Sequence, residues 1–239
     1  MNAPSRFHQA LSDEHWAKAF GRQATIQNVL EFVLAHWQQL QKRPPSDMEF
    51  RQSEPHITKY FGLSLKKSAR ANGIFGFFVP EHVVADIDEV RQVLESRGRT
   101  DITFLSDRID PPLEFVLEFK KMKAQTGANA SRLAYCRDGM SRFVDAVYAR
   151  DEEVGFMVAL VASEDDLPGV IDGLKRAIQQ PDMTRLLRSI TNPKGKTTLT
   201  TNDLAFDACD FETRHARDHK GQKDVVLGHI ALAHQPRTA

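Results

Sequence analysis

Two neighbouring segments, DITFL at 101–105 and LEFVLEFK at 113–120, alternate apolar and polar positions with period two. That pattern predicts β-strands, and the intervening SDRIDPP predicts the turn of a hairpin. In the second strand Leu113, Phe115, Leu117 and Phe119 share one face, while Glu114, Val116, Glu118 and Lys120 share the other. Folding the hairpin so that the apolar faces coincide sets Ile102 against Leu117 and Phe104 against Phe115, and brings Asp101 across from Glu118. Asp110 is too near Glu118 in the chain for the two to oppose one another on paired strands, so it reads as a turn residue.

Helical spacing dominates before this hairpin. Residues 12–42 predict a helix capped by Ser12 or Asp13, with Ala24, Ile26, Val29, Leu30, Val33, Leu34 and Trp37 as its apolar stripe. Pro44-Pro45 ends it, because proline lacks the amide donor and clashes with the preceding turn. A second helix starts at Ser53, with Glu54 and Pro55 in its first turn, and carries Ile57, Phe61, Leu65 and Ala69 as far as Asn72-Gly73. GIFGFFVPEHVV then reads as extended, with Pro80 at a bulge or sheet edge. Residues 85–99 are expected to form a short amphipathic helix, a mobile insertion being the alternative.

After the hairpin, residues 131–149 predict an amphipathic helix. Leu133, Cys136, Met140, Phe143/Val144 and Val147 line its apolar side; Tyr135, Asp138, Arg142 and Asp145 line the other. EVGFMVALVA is apolar on both faces, as an interior strand is, and the helix before it is long enough for a crossover to a parallel neighbour. DLPGVIDGLKRAIQ and MTRLLRSITNP predict two further helices. LAFDACDFETRHAR and DVVLGHIALAH predict strands paired through DHKGQK. The pattern divides the chain into a helical segment (1–45), an α/β core (46–165) and a C-terminal helix and hairpin extension packed on that core (166–239).

Composition narrows the possibilities. Among 239 residues, 32 Lys and Arg balance 32 Asp and Glu, which excludes a uniformly basic nucleic-acid coat and a polybasic membrane anchor but leaves room for a local basic cleft. No apolar run approaches the ~20 residues of a membrane span, and the first residues show no secretory signal. Cys136 and Cys209 form no disulfide framework. The expected compartment is the cytoplasm.

The chemistry concentrates at one end of the hairpin. Asp101, then Glu118-x-Lys120 on the next strand, in the order helix, strand, strand, strand, helix, strand, resembles the PD-(D/E)XK, or restriction-endonuclease-like, nuclease superfamily over about residues 53–162. The resemblance implies a mixed central sheet flanked by helices in α-β-β-β-α-β order. It also implies a divalent ion, Mg2+ or Mn2+, held by Asp101, Glu118 and, as the helical acid, Glu54, with Lys120 completing the catalytic set. The proline of the family motif is missing, since Arg99-Thr100 precede Asp101. Magnesium chemistry suits such residues on physical grounds too, because the ion keeps several waters and needs only one or two carboxylates plus substrate phosphate.

Other residues carry alternatives. An acid in a first helical turn, such as Glu54, is also favoured by the helix dipole. Arg142 and Tyr135 are candidates for substrate contact, Arg142 by bidentate binding of phosphate. Cys209, His215, His219, His229 and His234 match no compact zinc module, and His229 and His234 point to opposite faces of one strand. Lys194, Lys196, Arg214 and Arg217 either touch a nucleic-acid backbone or are solvated. P-loop and GxSxG motifs are absent. The expectation is a Mg2+-dependent DNA endonuclease, a component of restriction or anti-phage defence, acting as a homodimer or with a partner subunit and away from membranes. The alternatives are a non-catalytic binding subunit on the same fold, or an RNA-cleaving toxin.

Overall fold

The computed structural model describes residues 13–88, 91–125, 127–217 and 223–234. Ser12, His219 and the connection 218–222 lie outside them. Helix α1 (Asp13–Gln41) is followed, after the proline pair, by α2 (Glu54–Ser68), which a short helical turn extends to Gly73 in the left-handed region (φ 73°). Strands β1 (Phe77–Pro80), β2 (Val83–Asp88), β3 (Val93–Arg99), β4 (Ile102–Ser106) and β5 (Leu113–Lys121) come next. Helix α3 (Ala128–Ala134), a wide turn at Tyr135–Met140 and α4 (Ser141–Val144) lead to β6 (Val154–Val161). Helices α5 (Leu167–Ile178) and α6 (Pro181–Leu186) precede β7 (Leu199–Thr200), β8 (Phe211–His215) and β9 (Val225–Ala233).

The product is an α/β fold around a mixed seven-stranded sheet in the order β1-β4-β5-β6-β9-β8-β7, with β5, β6 and β9 parallel at its centre. The hairpin register is the one the alternation demands, with Ile102 opposite Leu117 and Phe104 opposite Phe115. On one face Phe104, Phe115, Phe119, Phe156 and Leu160 pack against Val33 and Trp37 of α1 and Phe61 of α2. On the other, Val116, Met157 and Ala159 pack against Tyr135, Phe143, Leu174 and Met183 from the later helices. Strand β6 faces both cores, which is why its sequence is apolar throughout. Segment 166–239 contributes three strands to this same sheet, β9 pairing along the whole of β6.

Of the segment 85–99, the described residues 85–88 and 91–99 are not helical. They form most of an antiparallel ribbon, β2 with β3, that continues the β1–β4 pairing outward. Glu81 N donates to Asp101 O (2.9 Å) and Thr100 N to His82 O (2.9 Å), so the ladder bends at 81–82 and 100–101 without ending. A segment that leaves one strand and returns to its antiparallel neighbour is held in register at both ends, and this outweighs the helix propensity of its Glu, Arg and Leu residues.

The crossover helix differs from expectation as well. It begins at Ala128 and ends at Val144, and its buried residues come in pairs four apart: Tyr135/Cys136, Gly139/Met140, Phe143/Val144. The wide turn has more than 3.6 residues, so Tyr135 rotates into the core while Leu133 is exposed. Helix α6 is likewise shorter than expected and gives way before Arg188, whose φ is 44°.

Beneath α6 lies a buried polar chain. His215 Nδ1 lies 2.8 Å from Leu187 O and Nε2 lies 2.8 Å from Thr213 Oγ1; His229 Nε2 is 2.9 Å from the same hydroxyl, and Tyr135 Oη is 2.9 Å from His229 Nδ1. One proton order satisfies every link: His215 donates to the carbonyl, Thr213 to His215, His229 to Thr213 and Tyr135 to His229. Both rings are then neutral, and burial pushes His215 down to about 4 and holds His229 well below the free 6.5. Folded values below the free 6.5 mean stability that is complete above that pH and lost as pH falls through about 4. Thr213→Val, which strands both rings, is expected to cost about 2–4 kcal/mol in urea unfolding at pH 7.5. A loss under about 0.5 kcal/mol would mean the chain is not satisfied as described.

Candidate active site

Asp101 occupies the bend between β3 and β4, and its Oδ2 accepts from Phe119 N at 2.7 Å. That bond ties the bend to β5 at the point where Glu118 and Lys120 project from one face. Lys120 Nζ donates to Glu118 Oε1 (2.8 Å), to Glu54 Oε1 (3.3 Å) and to Phe119 O (2.9 Å). Glu54, at the start of α2, accepts from Lys121 N through Oε2 (2.6 Å). The Lys121 side chain reaches Gln52 O (2.8 Å) and sits over the Phe50 ring, pinning the loop that delivers Glu54. Ser53 makes no side-chain cap, so the first-turn acid is spent on β5 rather than on its own helix.

Asp101, Glu118 and Lys120 line a cleft of about 300 Å³ that also takes in Thr58, Glu81, Arg99 and Arg142, and Glu54 joins it through its bond to Lys120. Five of the six residues singled out from sequence, Asp101, Glu118, Lys120, Glu54 and Arg142, converge there. Tyr135 does not. It is fully buried and hydrogen-bonded to His229, so it has no surface to offer a substrate. Arg217 is also a correction: its guanidinium clamps the carbonyls of Phe143 (3.0 Å) and Glu152 (2.9 Å) instead of meeting solvent or a ligand. Lys194, Lys196 and Arg214 are exposed. Of the C-terminal histidines, His229 stacks on Phe211, while His234 meets Trp37 edge-on in the other core.

Tyr148 escaped the sequence reading. Its hydroxyl donates to Arg99 O (2.5 Å) and accepts from Arg142 Nη1, with the guanidinium 5.4 Å above the ring. It thereby fixes Arg142 to the root of the ribbon. No local signal marks it, because its place depends on the chain leaving the helix at Val144 and turning back. Glu81 was missed for a similar reason. It sits at the bend and pairs with Lys59 (2.9 Å) and Arg99 (3.1 Å) at the mouth of the cleft.

The electrostatics are strained. Burial pushes Glu118 up to about 7, with the Asp101 charge adding to the effect and Lys120 opposing it. Asp101 is raised to about 6, again mainly by burial, against the pull of Lys120 and the Phe119 amide. Burial works against the charge on Lys120, but Glu118, Glu54 and Asp101 outweigh it and raise its pKa. Glu118 is only 2% exposed, and its Oε2 is buried without a hydrogen-bond partner. A buried carboxylate oxygen with no donor is a costly feature that a bound cation would relieve.

Among the described residues no group of three or more His, Cys, Asp or Glu side chains forms a ready-made metal cage. Both Glu54 oxygens are engaged, which leaves Asp101 and the free Glu118 oxygen as donors. Two hard oxygens and a cleft open to water fit a magnesium-like ion, which retains several waters; zinc sites take three or four protein ligands, with His or Cys among them, and fit less well. Comparisons with protein-family models, with curated proteins and with solved structures returned no match.

The raised carboxylates carry a stability signature. Because both folded values exceed the free ones, 4.5 and 3.8, the fold favours the protonated forms, and that contribution is lost as pH rises through about 6 and about 7. Glu118→Gln in EDTA is expected to raise the Tm at pH 8 by about 2–6 °C and to change it less at pH 5. Calorimetry at both pH values checks this, and a lower Tm at pH 8 would show that the pair with Lys120 outweighs the burial of charge.

Proposed function

We propose that the protein is a divalent-metal-dependent phosphodiesterase, a nuclease acting on DNA, with a restriction-endonuclease-like core. The single observation that carries the reading is the convergence, at one end of β5, of Asp101 and Glu118, the latter with a buried unpartnered oxygen, beside Lys120. The mixed sheet and the order of strands around the hairpin agree with it. Asp101 and Glu118 would hold the ion. When bound, such an ion polarises the phosphate and lowers the pKa of its water, supplying the nucleophile and stabilising the leaving oxygen.

The chain's own residues do the rest. Lys120 stands on the same strand face as Glu118, and its ammonium neutralises charge that accumulates on the phosphoryl oxygens during displacement. Glu54 draws that ammonium to one position and keeps it protonated. Arg142, held by Tyr148, offers its remaining donors to a non-bridging phosphate oxygen in forked geometry. Asp101, through the Phe119 amide, locks the ribbon bend to β5 so that the carboxylates keep their spacing. A restriction or anti-phage role in the cytoplasm, with a second subunit to grip the duplex, is the setting we propose for this chemistry.

The test is cleavage of plasmid, linear duplex, single-stranded DNA and RNA with Mg2+, Mn2+ or EDTA. Cutting should require metal and fall about 10²–10³-fold or more in Glu118→Ala and Lys120→Ala. Activity surviving both substitutions would move the site elsewhere, and RNA-only cutting would replace the substrate. Metal-free inertness that Mg2+ does not relieve, on every substrate, would favour a binding subunit that retains the fold. Tyr148→Phe leaves Arg142 in place but unheld, and we expect about a tenfold rise in KM with a smaller change in kcat, separable by steady-state kinetics.

A further inference from the structure

A second cavity of about 530 Å³, sharing no lining residue with the candidate cleft, opens between α3, α5 and α6. Its volume falls in the range of small-molecule sites, about 300–1,000 Å³. Three arginines line it, Arg132, Arg137 and Arg176, against one carboxylate, Asp182, which is largely exposed and directed at Arg185 (3.7 Å). None of the three makes an ion pair among the described residues. In a chain whose charges balance overall, three uncompensated guanidinium groups around one concavity are a local excess that mutual repulsion disfavours.

One of them is built in. The Arg132 guanidinium lies flat on α5 at Gly173, where a Cβ would stand 2.4 Å from its Cζ, Nε and Nη2. Glycine in the middle of a helix costs about 1 kcal/mol relative to alanine, so its use there serves this close approach. Arg132 Nε is buried without a partner, and Nη1 is steadied by Asn129 Oδ1 at 3.3 Å. The fold thus accepts a helix-weakening residue and an unsatisfied donor in order to hold a cation at the base of the cavity. The walls complete a mixed character: Leu133 and Met183 are apolar, and Gln180 is polar.

We propose that this cavity is a second binding site, for a small phosphorylated ligand of nucleotide size. The forked donors of Arg132, Arg137 and Arg176 take the phosphate oxygens, and Leu133 and Met183 accept the apolar face of the attached group. A small ligand suits three cations gathered around one concavity better than a polynucleotide backbone, which needs a continuous track of cations. The cavity and the catalytic cleft share one stretch of helix, since Arg142 follows Arg137 after the wide turn. The proposal stands independently of the reaction assigned to that cleft.

The experiment is calorimetric titration of the full chain, in EDTA, with ATP, with inorganic pyrophosphate and with a single-stranded oligonucleotide. We expect saturable binding of ATP or pyrophosphate with Kd below about 1 mM. Arg137→Glu and Arg176→Glu, both exposed and so tolerated by the fold, should weaken it about tenfold or more. Gly173→Ala keeps every charge but displaces the Arg132 guanidinium, and it should weaken binding while leaving Tm unchanged or higher. Glu118→Gln should leave binding unchanged. Failure of both small probes to bind, binding indifferent to the two reversals and to Gly173→Ala, or binding of the oligonucleotide alone would each overturn the proposal.

Discussion

Strand β5 is hydrogen-bonded on both sides, antiparallel to β4 and parallel to β6, and buried on both faces for most of its length. A one-residue slip would exchange Phe115, Leu117 and Phe119 with Glu114, Val116 and Glu118, driving carboxylates into one core and rings out of it. That penalty fixes the register. The fixed register aligns Glu118 and Lys120 on one face and sets the Phe119 amide where Asp101 can accept from it. Helix α2 is then drawn to the same point, because Glu54 completes the hydrogen bonding of the β5 backbone at Lys121. The candidate site is in this sense a by-product of sheet pairing, elaborated by one helix start and one bend.

This also explains how much could be read from the chain alone. The hairpin register, the site triplet and the interior strand were legible because each rests on periodicity within a few residues. The position of Glu54 was legible because Ser53 and Pro55 mark a helix start. What stayed hidden depends on distant pairing or on a change of helical pitch. The ribbon at 83–99 is rich in helix-forming residues and is extended only because β1 and β4 are neighbours. Tyr135 was assigned to the wrong side because a uniform 3.6-residue period does not hold through a wide turn. Tyr148 and Glu81 acquire their roles from contacts with segments some 50 and 20 residues away.

The two polar assemblies of the protein are built on opposite terms. The chain from Tyr135 to Leu187 closes on itself, each donor matched to an acceptor, and it is locked in a neutral state. The cleft around Glu118 is incomplete, with raised carboxylates and an oxygen that has no donor. The first rigidifies a sheet; the second is held open by the surrounding packing against its own electrostatic preference. Stability given up at one cluster and recovered at another is the usual pattern where a fold carries chemistry.

The parallel pairing of β6 with β9 has a consequence for the order of events on the ribosome. Everything that frames the cleft, from Glu54 to Tyr148, precedes β6, whereas its partner strand begins only at Val225. Between the emergence of VGFMVALV and that of VVLGHIALA, one edge of the most apolar strand in the chain has nothing to pair with. An unpaired, uncharged edge is a template for another chain. Closing so long a loop is also slow compared with local pairing. The nascent protein therefore passes through an interval in which its cleft-bearing half can assemble while its sheet is still open to strangers.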